Sequence, residues 1–150
     1  MTEIEYVGHI ISSEGIKFSE AAKSKTLNFP IPTTTGQLKQ FVGMAEYFHS
    51  HVRNFSDIAR PLHALLHGYT KKTHTQKLNM SDQDIKAFKA LQAAVSESQR
   101  LYFPVPDREI FLETDASDYG IGAYLYQKDG LDKQYPIAFI SKNLSGAQLN

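Results

Sequence analysis

The chain reads as an α+β protein: a short β-hairpin, a helical middle and a small antiparallel sheet. Three observations predict this. Apolar residues alternate at the two ends, where Tyr6 to Ile11 and 110–127 run as strands broken by glycine-containing turns. Between them, Leu38, Phe41, Val42, Ala45, Phe48 and Val52 recur at helical spacing. Proline pairs, Pro30 with Pro32 and Pro104 with Pro106, separate the stretches.

In chain order, Tyr6-Val7-Gly8-His9-Ile10-Ile11 and Gly15-Ile16-Lys17-Phe18, divided by Ser12-Ser13-Glu14, read as a hairpin too small to stand alone. Residues 20–28 have helical character, and Phe29-Pro30-Ile31-Pro32 then imposes an extended crossing. Thr33, Thr34 or Thr35 caps an amphipathic helix over 37–51. On its other face Lys39, Gly43 and Tyr47 are spaced by four, so a cation, a gap and an aromatic ring share one exposed stripe. Glycine inside a helix costs about 1 kcal/mol against alanine, so Gly43 suggests close approach of another backbone or a ligand.

Asn54-Phe55-Ser56 breaks that helix, and Ser56 is read as the cap of a shorter one with Ile58, Leu62, Leu65 and Leu66 inward, Pro61 limiting its first turn and Gly68 ending it. Residues 69–77 lack an apolar period and read as a mobile basic loop. Ser81 with Asp84 forms a variant capping box for a helix to about Gln99, with Ile85, Phe88, Leu91 and Val95 buried. Beyond Pro106, strands are expected at 110–115, 120–127 and 135–141, the last two joined around Gly130.

Composition allows one or two small cores: of 150 residues 41% are hydrophobic, with nine Phe and eight Tyr. With no long apolar run and no basic and apolar leader at Met1-Thr2-Glu3, the expected location is intracellular. The chain has no cysteine, which excludes disulfides, thiolate metal sites and cysteine nucleophiles. Its formal charge of zero conceals polarity. Residues 49–77 carry five Lys and Arg against Asp57 alone, with five of the six histidines, a segment suited to a polyanion or simply to solvent. Residues 107–150 carry seven acids against four bases, suited to a metal site or a solvated face.

The order of blocks resembles the pol polyprotein of gypsy-class long-terminal-repeat retrotransposons. It is carried by Tyr6-Val7-Gly8-His9-Ile10-Ile11-Ser12-Ser13-Glu14-Gly15-Ile16, Phe29-Pro30-Ile31-Pro32-Thr33-Thr34, Phe41-Val42-Gly43-Met44-Ala45-Glu46-Tyr47-Phe48, Asn54-Phe55-Ser56 with Ala59-Arg60-Pro61-Leu62, and Leu112-Glu113-Thr114-Asp115-Ala116-Ser117. Thr114-Asp115-Ala116-Ser117 alone would be weak; five blocks in family order are specific. The resemblance implies the end of a reverse transcriptase palm with a primer-grip-like hairpin (1–28), a thumb-like helical subdomain (29–77), a connecting helix (78–103) and the first three strands of a truncated RNase H-like domain (104–150).

Roles follow from the resemblance. Tyr6, Gly8 and His9 match the primer grip, and Lys39, Gln40, Gly43 and Tyr47, with Arg53, match a thumb surface on template-primer or RNA/DNA hybrid. Gly43 would admit the sugar-phosphate backbone while Tyr47 packs on a sugar, contacts that read duplex shape. Taken alone, the stripe reads as incidental and the hairpin as plain core. Asp115 matches the first catalytic carboxylate of RNase H, which uses two divalent ions about 4 Å apart; its oxygen ligands favour Mg2+ or Mn2+. Ser117, Gly120 and Gly122 match the turn that lets the next strand fold back, while Glu113 and Asp118 match no catalytic position.

The chain departs from the pattern in places. His49 and Ser50 stand where two basic residues are usual, and Met80 where an aromatic is usual. The polymerase aspartates are expected upstream of Met1 and the remaining RNase H acids downstream of Asn150, so neither activity is expected from this chain alone. The expected partners are nucleic acid and the remaining pol domains: palm and fingers, the rest of RNase H, and integrase. Self-association through the unpaired edge of the Asp115 strand is a further expectation. The alternative function is a non-catalytic nucleic-acid or protein-interaction module derived from the same region.

Overall fold

The computed structural model describes residues 2–144. Its elements run β1 (Ile4–Tyr6), β2 (His9–Ile11), β3 (Gly15–Phe18), α1 (Glu20–Leu27), α2 (Thr35–Glu46), α3 (Phe55–Leu65), α4 (Asp82–Ser96), β4 (Leu101–Tyr102), β5 (Ile110–Ala116), β6 (Gly120–Lys128) and β7 (Gln134–Asn143). Two antiparallel sheets flank the helices, one ordered β1-β2-β3-β4 and the other β5-β6-β7.

The expected single strand from Tyr6 to Ile11 is two strands. Tyr6 pairs with His9, so Val7 and Gly8 form a two-residue hairpin turn, both with positive φ, 49° and 75°. The β-branched Val7 disguises this turn in the sequence, because valine rarely adopts that conformation. β4, after the long helix, returns to pair with β3 and closes the sheet.

The helices pack by the apolar stripe read from the sequence. Leu38, Phe41, Phe48, Phe55, Leu62, Phe88 and Leu91 are essentially inaccessible and form one core. Helix ends are satisfied reciprocally: Lys23 Nζ donates to the carbonyls of Ser96 and Ser98 at the end of α4, and Gln92 Nε2 donates to those of Thr26, Leu27 and Phe29 at the end of α1.

Three features differ from expectation. α2 stops at Glu46, and His49–His51 is a 3-10 turn, whose tighter winding still turns Phe48 and His51 inward. The cap of α3 is Asn54, in the left-handed conformation; Ser56 lies inside the helix, and Pro61 falls mid-helix instead of near its start. The 69–77 loop is tied down: Thr35 N–H and its hydroxyl donate to Gln76 O, and Gly36 N–H donates to His74 O. The loop thus supplies acceptors that the first turn of α2 lacks. The Ser81 and Asp84 capping box is present as expected.

A second, smaller core lies on one face of the β5-β6-β7 sheet, where Tyr124, Tyr126 and Phe139 stack with Phe111. Buried Gln127 fixes the proline linker to this sheet, its Oε1 accepting from Val105 N–H and its Nε2 donating to the carbonyls of Val105 and Arg108.

Candidate nucleic-acid interface and the Asp115 strand

The stripe predicted on α2 is on its surface. Lys39, Gln40, Gly43 and Tyr47 are exposed, while Leu38, Phe41, Val42 and Ala45 hold the opposite face in the core. A Cβ at Gly43 would meet nothing within 4 Å among the described residues, so their packing does not require glycine there. Among the described residues, no carboxylate pairs with Lys39, Lys71, Lys72 or Lys77.

Tyr47 joins the stripe to the hairpin. Its hydroxyl donates to the Val7 carbonyl, and His9 Nδ1 lies 3.1 Å from that oxygen and 3.2 Å from the Tyr47 hydroxyl. Its ring meets His9 edge-on at 5.3 Å and lies 5.2 Å from Phe18. Gly8 must be small: a Cβ there would lie 3.1 Å from Ala22 Cβ. Tyr6, Gly8, His9 and Tyr47 are therefore one cluster, with Tyr6 68% exposed at its rim. His51 sits behind it against Phe18, accessible to 5%, and burial pushes its imidazole below the usual value while its bond to the Gln99 carbonyl opposes that.

Arg53 stands elsewhere. Its guanidinium lies 3.2 Å from Glu113 on β5 and 4.7 Å over the Tyr124 ring. It belongs to a seam between the helical body and the second sheet. There His49 Nε2 meets the Ser141 carbonyl at 3.0 Å, Ser56 N–H donates to Ser141 Oγ at 3.0 Å, and His49 stacks on Phe55. Sequence reasoning missed Glu113, Ser141, His49 and Ser56 as a group. Their separations, up to 92 residues, leave no local pattern to read.

Asp115 is exposed on β5, paired with Gly122, and β5 is bonded to β6 on one side only among the described residues. Glu113 and Asp115 point to the same face, since they are two apart on a strand. Ser117 Oγ accepts from Gly120 N–H at 3.1 Å and shapes the turn that brings β6 back. Space is tight at Gly120, where a Cβ would sit 3.2 Å from both Asp57 Oδ1 and the Lys142 carbonyl, whereas one on Gly122 would make ordinary contact with Asn54 Oδ1 at 3.4 Å. Among the described residues no group of three or more His, Asp or Glu side chains is gathered for a metal ion. Asp115 fits as one oxygen ligand of a hard divalent cation, and a two-ion site needs more carboxylates than these residues bring together.

The chain thus sets a helical body that exposes Lys39, Gln40, Gly43 and Tyr47 against an antiparallel sheet that carries Asp115. Foamy viral protease-reverse transcriptase in complex with dsDNA superposes on 99% of this chain and 30% of its own length, with TM-score 0.77 and 20% identity. The same protein in complex with RNA/DNA hybrid gives 0.74 over 98% of this chain and 19% of that one, again at 20% identity. Residues 80–150 match the RNase H-like domain found in reverse transcriptase.

By sequence, the chain is 32% identical over 155 residues to the retrovirus-related Pol polyprotein from transposon opus of Drosophila melanogaster, and 34% over 148 to that from transposon 297. It is 32% identical over 149 residues to the transposon Tf2-3 polyprotein of Schizosaccharomyces pombe. Each match takes in 99% of this chain and only 11–15% of the relative, so the chain corresponds to a small part of those polyproteins. Residues 80–150 thus match an RNase H-like domain found in reverse transcriptase, and nearly the whole chain is similar to polyproteins of transposons.

Proposed function

We propose that this chain is the thumb and the beginning of the RNase H domain of a retrotransposon reverse transcriptase, which copies RNA into DNA and hydrolyses the RNA strand of the hybrid. In this reading α2 lies along the minor groove of the duplex. Lys39 neutralises a phosphate, Gln40 hydrogen-bonds the backbone, and the bare surface at Gly43 lets the sugar-phosphate chain approach. Tyr6, Gly8 and His9, buttressed by Tyr47, support the primer end. Asp115 contributes the first RNase H carboxylate. Mg2+ or Mn2+, when bound with carboxylates from outside the described residues, supplies activation of the attacking water. Palm, fingers and the rest of RNase H are the partners of this segment, and its place of action is inside the cell.

The observation that carries the reading is the open Gly43 surface beside exposed Lys39, on a stripe whose end is bonded to the hairpin turn through Tyr47 and Val7. Chemical-shift mapping with a short RNA/DNA hybrid tests it. Perturbations centred on Lys39, Gln40, Gly43 and the Val7 turn are expected; perturbations confined to α4, or none, would overturn it.

A further inference from the structure

The two apolar cores lie on the two sides of the seam, and the polar contacts of Arg53, Glu113 and Ser141 belong to neither. Each nevertheless touches the strand system that carries Asp115. Glu113 precedes Asp115 by two residues on the same face of β5, and its carboxylate is held from two directions. Tyr126 Oη donates to it at 2.9 Å from the neighbouring strand, and Arg53 Nη2 donates at 3.2 Å from the helical body. The Tyr126 phenol is pushed up by that same hydrogen bond. Arg53 is oriented in turn by lying over Tyr124 at 4.7 Å.

A second point of attachment lies two strands away. Ser141 Oγ accepts from Ser56 N–H, one of the free donors at the start of α3, and the Ser141 carbonyl accepts from His49. Two attachments on separate strands resist rotation of the sheet as well as translation. Half-exposed ion pairs hold little by themselves, and Arg53 and Glu113 are 54% and 50% accessible. The stacked guanidinium, the tyrosine bond and the Ser141 contacts make a geometry that the pair alone would not.

We infer that Arg53 and Glu113, with Ser141 as the second attachment, are positioning residues that fix the Asp115 strand in register with the α2 stripe, so that a hybrid gripped by α2 meets Asp115 at a set distance. The inference rests on the proposed function for its purpose and on the seam geometry alone for its existence.

Because the chain has no cysteine, spin labels can be placed at Lys89→Cys on α4 and Thr114→Cys on β5 without background. Both positions are exposed and outside the seam. Pulsed dipolar spectroscopy should give one narrow distance distribution. Arg53→Ala combined with Ser141→Ala should broaden it by at least about twofold, Glu113→Gln should broaden it less, and Arg53→Lys should fall between parent and Arg53→Ala. Glu113→Gln keeps an acceptor for Tyr126 and, at an exposed position, decides the matter if the double variant fails to fold. Parental width in Glu113→Gln and in the double variant would overturn the inference. Hybrid affinity measured in parallel separates the two proposals: no hybrid binding with a narrow parental distribution that the variants broaden removes the functional reading and leaves the seam supported.

Discussion

Tyr47 and Val7, forty residues apart, are joined by a hydrogen bond from the phenol to the turn carbonyl. The bond sets the hairpin against the end of α2 and makes two elements distant in sequence present one surface. Removing the hydroxyl with Tyr47→Phe should cost about 1 kcal/mol in urea unfolding. A larger effect of Tyr47→Phe on hydrogen exchange at Gly8 and His9 than at α4 amides would locate the loss in the turn.

Val7 holds its place in that turn with a positive φ of 49°, which strains a β-branched residue. Asparagine adopts this conformation readily and precedes glycine in the favoured two-residue turns. Val7→Asn should therefore stabilise the chain by about 0.5 to 1 kcal/mol in thermal or urea melts.

Gly43 separates stability from binding. With open space where an alanine methyl group would stand, Gly43→Ala should stabilise α2 by about 1 kcal/mol. The same substitution should weaken hybrid binding, since the methyl occupies the approach of the backbone. Unchanged affinity in the stabilised variant would remove Gly43 from the interface.

His51 makes the fold acid-sensitive. Its imidazole titrates below the usual 6.5, chiefly through burial, so the unfolded chain binds this proton more readily than the folded one. The stability due to neutral His51 is fully present above about pH 6.5, declines as pH falls below it, and is lost once pH passes the folded value. Urea midpoints measured from pH 7.5 to 5 should fall with acidity, and His51→Gln should flatten part of that slope.

The helical core depends on the Phe41 and Phe88 pair, whose ring centroids are 4.4 Å apart in fully buried surroundings. Phe88→Ala should cost about 3 to 5 kcal/mol, enough to unfold a marginal domain. Calorimetry would show it as loss or a large downward shift of the main transition.

Much of the helical body was legible because burial there follows the helix period, as Leu38, Phe41, Val42 and Ala45 show. The same period overran the end of α2, since a 3-10 turn also buries His51 and Val52 and apolar spacing does not distinguish the two. The Val7 turn was hidden by a residue type that rarely makes it. Of the site, the exposed stripe and the Asp115 strand were readable from spacing and motif. The link from Tyr47 to Val7 and the seam at Arg53, Glu113 and Ser141 were not, because they join residues distant in sequence through tertiary packing alone.

Fluorescence anisotropy of a labelled RNA/DNA hybrid with the whole chain, at about 50 and 200 mM salt, tests the thumb-stripe grip most directly. Binding should weaken as salt rises, and the Lys39→Ala, Tyr47→Ala double variant should largely lose it. Equal binding by the variant and the parent, or no binding by either, would contradict a nucleic-acid grip on α2.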